Sequence, residues 1–481
     1  MALIIDEMPR VVNNDWHMQQ EHFSSFKAYD IRALAPQVLN ADFASKLGVA
    51  IKRALDPKSV MVGLDMRETS PELESSLIES LTAQGVNVTR IGLCSTPMFN
   101  VSLGLAESKY DLGVMITASH NPAEYNGFKI TRGDCLPLGL GSGLEAIRDA
   151  WPEPDFALEK SAVSGQVTDD PEALDKYVDY VIKLADLPSD MPEMRVVIDA
   201  GNGMAGHVLP KLLAKCPWIK SENLYFELDG HFPNHEANPI KTETLEALRA
   251  KVLEIGAVCG VAFDGDADRV GFLDENGEQI RGDVMTALLA DMILKKNGPG
   301  LILADIRSSW SVNQAVEQAG GQSEFCKVGH ANIKQDMRNK KALFAGEMSM
   351  HYYFQELWNV ESGDYAMLLL LKSLAGQGRS LSSLWQKFAR YSHSGEINMP
   401  AADASAVFKR VQEAYADKAD KSYDLDGLRY EFKDPETGLP AWWFNLRASN
   451  TEPLIRLNLE AATDELMAEK LAEVTALIKN N

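Results

Sequence analysis

The chain has 481 residues, too many for one hydrophobic core, so three or four domains of roughly 100–150 residues each are expected. A formal net charge of −22 argues against nucleic acid or an anionic membrane as partner, and an anionic substrate would have to be met by a local basic cluster. Five widely spaced cysteines without a C-x-x-C pair suggest neither a disulfide framework nor a zinc site. The first 20 residues lack a signal-peptide apolar core, and the longest apolar run, 366–371, is far too short to span a bilayer, so a cytoplasmic location is the default expectation.

Residues 1–22 read as an irregular extension, with order starting near Phe26. A strand is expected over 59–65, then a helix opening at Ser70 as N-cap with Pro71 in its first turn, and a second strand over 86–91 after Gly85. Leu73, Leu77, Ile78 and Leu81 fall on one face of that helix. The apolar run 112–116 reads as a buried strand, which would deliver Thr117, Ala118, Ser119, His120, Asn121 and Pro122 to the carboxyl edge of a sheet; Tyr125, Asn126, Gly127 and Lys129 follow. The pattern recurs as strand 195–199, helix 207–215 and a strand ending near Leu228, then as strand 301–305, helix 311–319 and a strand running to Val328. The last part differs: a helix from Ser380, a helix over 404–416, strands at 428–432, 442–446 and 454–459, and a helix from Asp464. The expected fold class is therefore α/β, with three similar α/β domains and a C-terminal α+β domain. Boundaries fall near residues 165, 278 and 385, giving 1–165, 166–278, 279–385 and 386–481.

Asp264, Asp266 and Asp268 follow an apolar strand at 257–263, and carboxylates at i, i+2 and i+4 can converge on one hard cation such as Mg²⁺. A calcium hand fits less well: Glu275 falls at its twelfth position, but Arg269 stands where the sharp turn requires glycine. Gly201, Gly203 and Gly206 fit the dinucleotide fingerprint between a strand and a helix, so an NAD-dependent dehydrogenase is a second reading, from another class. It leaves the serine loop, the acidic triplet and a basic loop near residue 447 unexplained.

The segment from Thr117 to Pro122, with Tyr125, Asn126, Gly127 and Lys129 after it, resembles the phosphoserine loop of the α-D-phosphohexomutases, and the resemblance runs from about Phe26 to Leu459. It implies a phosphohexomutase, most like the bacterial phosphomannomutase and phosphoglucomutase enzymes, with its cleft between all four domains. It implies Mg²⁺ on Asp264, Asp266 and Asp268, with phosphorylated Ser119 completing the ligand set, and a hexose 1,6-bisphosphate intermediate. Glu347 and Ser349, in Gly346–His351, match the sugar-binding loop; Met350 stands where the family has glycine or alanine, which bears on sugar preference. Arg447, Ser449, Asn450, Thr451 and Arg456 match the phosphate-binding loop. Arg32, Lys129, Arg269 and His330 are the catalytic candidates; Arg307, Lys327 and His351 are further substrate-side candidates. Asp65 and Arg67 read as scaffold around the serine loop, and Trp442 and Trp443 as packing aromatics. The expected substrate is a small phosphosugar of mannose, glucose or glucosamine, and the chain is expected to be a monomer or homodimer.

Overall fold

The computed structural model describes residues 22–153, 156–158, 160–401, 403–448 and 454–479. The described residues form four sheets, one after another along the chain. In the first, Leu112–Ile116, Ser59–Leu64, Asn87–Leu93 and Val167–Asp169 run parallel, while Tyr125–Arg132 and Ile31–Leu34 add an antiparallel edge. The second has Cys259–Phe263, Met194–Asp199 and Ile219–Leu224 parallel, with Val270–Asp274 and Gln279–Ile280 antiparallel beside them. The third repeats the plan: Phe344–Gly346, Leu301–Asp305 and Gln322–Cys326 are parallel, and Tyr352–Phe354 and Val360–Glu361 follow antiparallel. The fourth is wholly antiparallel, ordered Ser392–Pro400, Leu454–Ala461, Pro440–Ala448, Leu428–Lys433, Lys421–Asp424. Its helices Ala404–Tyr415 and Asp464–Lys479 pack on each other. Three α/β units and one α+β unit are thus observed.

The three α/β sheets place their polar loops in equivalent positions. Leu112–Ile116, Cys259–Phe263 and Phe344–Gly346 are buried along their whole length, as central parallel strands covered on both faces must be. Each then turns directly into its antiparallel neighbour, with Ile116 opposite Phe128, Phe263 opposite Val270, and Gly346 opposite Tyr352. The serine loop, the acidic loop and the Glu347 loop are therefore three versions of one strand-to-strand turn at a sheet's carboxyl edge. Each turn holds one non-glycine residue in the left-handed region: Ser119 at φ 53°, Ala267 at φ 60° and Met350 at φ 69°.

Local expectations are corrected in three places. Ser70 is the first residue of the helix Ser70–Ala83 instead of its cap: its hydroxyl donates to Asp65 Oδ1 at 2.7 Å, and the capping position, Thr69, has its hydroxyl taken by Asn126 Nδ2 at 2.8 Å. The strand expected to reach residue 228 ends at Leu224, because Tyr225 turns the chain at φ 56°. The first sheet takes its last strand from Val167–Asp169, just past the boundary placed at 165.

The third and fourth units are joined by Arg429. Its guanidinium is fully buried, 3.7 Å above the Trp443 ring and 4.3 Å from that of Phe325, and donates to the carbonyls of Ile306 and Ser308 at 2.7 and 2.8 Å. Trp442 stacks on Phe432 at 4.1 Å, so both tryptophans serve packing.

The glycine-rich turn 201–206 is consumed by packing. A Cβ on Gly203 would lie 2.7 Å from the carbonyl oxygen of Gly265 in the acidic loop, and one on Gly206 only 2.2 Å from that of Phe226. The close backbone approach that a dinucleotide would use is taken by the chain itself. Gly203→Ala should therefore push the acidic loop out of place and destabilise the protein by about 1–3 kcal/mol, read as a lowered thermal midpoint; an unchanged midpoint would show that the contact is slack.

Candidate functional site

Ser119 is 3% exposed, and its hydroxyl sits 3.2 Å from Asp264 Oδ2 and 3.1 Å from His120 Nδ1. Its backbone N–H donates to Thr117 Oγ1 at 2.9 Å. The loop is held from behind by Arg67, which is 1% exposed and paired with Asp65 at 3.3 Å. Its two terminal nitrogens donate to four carbonyls: Pro122 at 2.8 Å, Tyr125 at 2.9 Å, Ser119 at 2.9 Å and Asn121 at 2.6 Å. A planar fork with five donors can do this and an ammonium cannot. Arg32, paired with Asp30, donates to Asn121 Oδ1 at 2.7 Å from the other side.

The acidic loop meets this one backbone to backbone. A Cβ at Gly265 would lie 2.5 Å from the Ser119 carbonyl oxygen, so glycine is required there. Asp264, Asp266 and Asp268 are all buried, each offering an oxygen within 4.8 Å of the others'. Lys129 Nζ donates to Asp266 Oδ2 and Asp268 Oδ2, both at 2.7 Å, and Thr96 Oγ1 donates to Asp266 Oδ2 at 2.7 Å. Asp266 Oδ1 is buried with no hydrogen-bond partner among the described residues. Burial pushes the Asp264 carboxyl well up, and its neighbours Asp268 and Asp266 add to this. Burial would raise Asp268 too, but Lys129 and His351 beside it hold it well below the usual carboxylate range. Lys129 is a fixed cation: burial alone would weaken its charge, and Asp266 and Asp268 more than reverse that. Arg269 follows the loop, with its Nε 3.7 Å from Asp264 Oδ2. Three such carboxylates on a hard-oxygen scaffold can hold a metal ion. Glu275, the twelfth residue of the alternative calcium hand, bonds Ser382 instead.

The third turn adds a polar cluster. Glu347, 3% exposed, accepts from Gly329 N at 3.1 Å and from the Tyr353 hydroxyl at 3.1 Å. His351 Nδ1 lies 3.0 Å from both Ser349 Oγ and Glu347 Oε2, and its Nε2 lies 3.2 Å from Asp268 Oδ1. Burial would lower this imidazole, but Asp268 and Glu347 push it up to about 9, so it is a cation at neutral pH. Met350 is buried and points away from this cluster: a Cβ on Gly271 would lie 3.1 Å from its Sδ and 2.9 Å from Pro239 Cβ. Its side chain therefore packs at the seam with the second unit. His330 opens the helix His330–Lys340 and packs edge-on against Tyr29 at 5.6 Å. Burial, with Lys334 and Lys129 nearby, holds it neutral, as burial with Arg269 and Arg32 does for His120. Lys327 is exposed.

Arg307, Arg447 and Arg456 come together from two units, although 140 positions separate Arg307 from Arg447. Arg307 is held by Asp305 at 3.0 Å and lies 3.5 Å from Glu347. All three arginines surround Glu396, at 3.2, 3.4 and 3.1 Å respectively. Ser449, Asn450 and Thr451 lie outside the described residues. Sequence reasoning passed over Glu396, Asp305, Thr96 and His120. His120 carried a signal, being adjacent to Ser119; Glu396 is an isolated acid in a strand and carried none.

Four matches to the phosphoglucomutase/phosphomannomutase family tile the chain: α/β/α domain I over residues 24–152, domain II over 175–277, domain III over 281–391, and the C-terminal domain over 396–477. A curated relative from Xanthomonas campestris, named "Phosphohexose mutases", is 39% identical over 458 residues, covering 95% of this chain and 99% of the relative. A phosphomannomutase of Methanocaldococcus jannaschii is 35% identical, covering 94% and 97%. The crystal structure of a phosphoglucomutase/phosphomannomutase family protein from Burkholderia thailandensis superposes with a TM-score of 0.83 at 31% identity, covering 95% of this chain and 97% of that one.

The clamp on the serine loop is open to test. Arg67→Lys keeps a positive charge beside Asp65 but cannot fork to four carbonyls. It should cost about 3 kcal/mol, seen as a lower thermal midpoint, and leave a loosely held Ser119. Wild-type stability would show that the carbonyls find other donors.

Proposed function

The chain belongs to the phosphoglucomutase/phosphomannomutase family, and we propose that it is a phosphomannomutase, interconverting mannose 6-phosphate and mannose 1-phosphate through a phosphoserine at Ser119. The observation that carries this reading is the Ser119 hydroxyl 3.2 Å from Asp264, inside a nest of three buried carboxylates. Nothing in a merely structural loop calls for that crowding of like charge.

The residues present fit a divalent cation. The donors are hard oxygens, they converge, and Asp266 Oδ1 is buried without a partner among the described residues. Asp264, Asp266 and Asp268 would hold Mg²⁺, with a phosphate on Ser119 as further ligand, and the ion would supply charge stabilisation for the transferring group. The chain's own residues do the rest. Phosphorylated Ser119 gives its phosphoryl group to the free sugar hydroxyl: the Oγ–P bond breaks, a sugar O–P bond forms, and the proton that the sugar hydroxyl loses is matched by one gained at Ser119 Oγ. The product is a hexose 1,6-bisphosphate. It turns over and returns its other phosphate to Ser119. Lys129, Arg269 and Arg32 are fixed cations around the serine. Asp268 and Glu347 push His351 toward its charged form, which disfavours it as a base. Burial, with the nearby arginines and lysines, holds His120 and His330 neutral, so neither is a strong base. Glu347 and Ser349 hold the sugar in either orientation. Arg307, Arg447 and Arg456 receive the phosphate that is not reacting, together with Ser449, Asn450 and Thr451, and Lys327 stands on the substrate side.

Ser119→Ala should lower turnover on the order of a thousandfold while leaving phosphosugar binding largely intact, and mass spectrometry should find a phosphate on Ser119 in the wild type. Undiminished turnover would remove the phosphoenzyme. Chelation should abolish activity and Mg²⁺ restore it; activity that survives chelation would take the metal out of the scheme. A coupled assay with hexose 1,6-bisphosphate present should rank mannose 1-phosphate above glucose 1-phosphate and glucosamine 1-phosphate, and a preference for the amino sugar would overturn the assignment.

A further inference from the structure

Glu396 sits where the proposed phosphate would need to be met. The strand Ser392–Pro400 breaks register against Leu454–Ala461 between His393 and Glu396, a bulge that re-aims the side chain. Glu396 Oε2 then accepts from Arg307 Nη1 at 3.2 Å and Arg447 Nη2 at 3.4 Å, and Oε1 accepts from Arg456 Nη1 at 3.1 Å. One carboxylate thus spans three guanidinium groups from two units. Arg447 Nε and Arg456 Nε are buried without hydrogen-bond partners among the described residues, so the donors exceed what Glu396 takes up. Burial alone would raise this carboxyl, and Arg307, Arg447 and Arg456 hold it ionised.

A phosphate and a carboxylate ask these arginines for the same N–H groups, and the two anions repel each other. Arg307 is already shared with Asp305 and Glu347, so the pocket has no surplus of positive charge on that side. We propose that Glu396 is an internal counter-anion of the phosphate site: it holds Arg307, Arg447 and Arg456 in place in the ligand-free chain, and a phosphosugar binds by displacing its carboxylate. The inference rests on the mutase reading and gives that reading something it needs. A bisphosphate that must let go and turn over between two half-reactions cannot be gripped too tightly. A resident competitor sets the grip, and its exchange for phosphate also releases the Arg307–Glu396 tie between the third and fourth units.

The test is Glu396→Gln in the full-length protein, an isostere that keeps one acceptor oxygen and loses the charge, with Glu396→Asp as a second variant whose charge is drawn back by one methylene. Calorimetric titration with mannose 6-phosphate, and separately with inorganic phosphate, should show about tenfold tighter binding for the glutamine variant. The aspartate variant should fall between it and the wild type. In steady state, kcat and KM should fall together, because product release slows. A residue that only positions the arginines would give the opposite: weaker binding and a raised KM. If either folded variant binds no tighter than the wild type while the wild type binds and turns over mannose phosphate, this inference fails and the mutase reading stands. A wild type that does not bind mannose 6-phosphate at all would sink both.

Discussion

The site exists because two loops from different sheets touch along their backbones. The Ser119 carbonyl approaches Gly265 so closely that a Cβ there would lie 2.5 Å from it. That contact sets the serine hydroxyl beside the acidic loop, where Asp264, Asp266 and Asp268 are buried. Everything electrostatic in the cleft follows from the resulting burial. Three carboxylates in one dry nest cannot all carry unopposed charge, so Lys129 and His351 are drawn onto them and Asp264 is pushed toward its neutral form. The Arg67 clamp on four carbonyls keeps the serine loop from relaxing away from this arrangement.

Repetition explains how such distant residues come to meet. In each α/β unit the parallel strand at the end of the parallel run turns straight back into an antiparallel one, and each turn carries a single strained non-glycine residue, Ser119, Ala267 or Met350. One device used three times presents a buried serine hydroxyl, three converging carboxylates and a polar cluster around Glu347. The chemistry differs only in the side chains hung on the turn.

Two of the strands that carry these turns were legible from their apolar runs: Leu112–Ile116 matches the sequence reading end to end and Cys259–Phe263 lies within the expected 257–263, whereas the three-residue Phe344–Gly346 was not read. Carboxylates at alternate positions, and paired arginines followed by turn-forming residues, carry their chemistry in their spacing. Burial removed other signals. The helix Gly363–Gln377 is packed against neighbours on several sides, including the helices Ala173–Ala185 and Gly282–Asn297, so its central run 366–371 is continuously apolar and has no period to read. Ser70 could not be told from a cap, because the choice turns on Asp65 and Asn126, which reach it only in the fold. Arg67 could be read as scaffold around the serine loop only through the family resemblance, and Arg429 carried no signal in the sequence. The carbonyls each of them binds lie more than 50 positions away.

The same long-range logic governs charge. With a net −22, the chain would repel a phosphosugar if its cleft cations were left to the general field. They are instead placed one by one by internal acids: Lys129 by Asp266 and Asp268, His351 by Asp268 and Glu347, Arg307 by Asp305. Such cations stand in position before a ligand arrives, which spares binding the entropy of ordering long side chains. The cost is that a ligand must compete with the acids that hold them. An acid buried deep beneath its cation, as Asp305 is beneath Arg307, can stay when phosphate comes. One that faces the incoming anion across the same N–H groups has to yield. The cleft is therefore built for exchange: it offers a phosphate donors already in use, and a group bound on those terms can leave again.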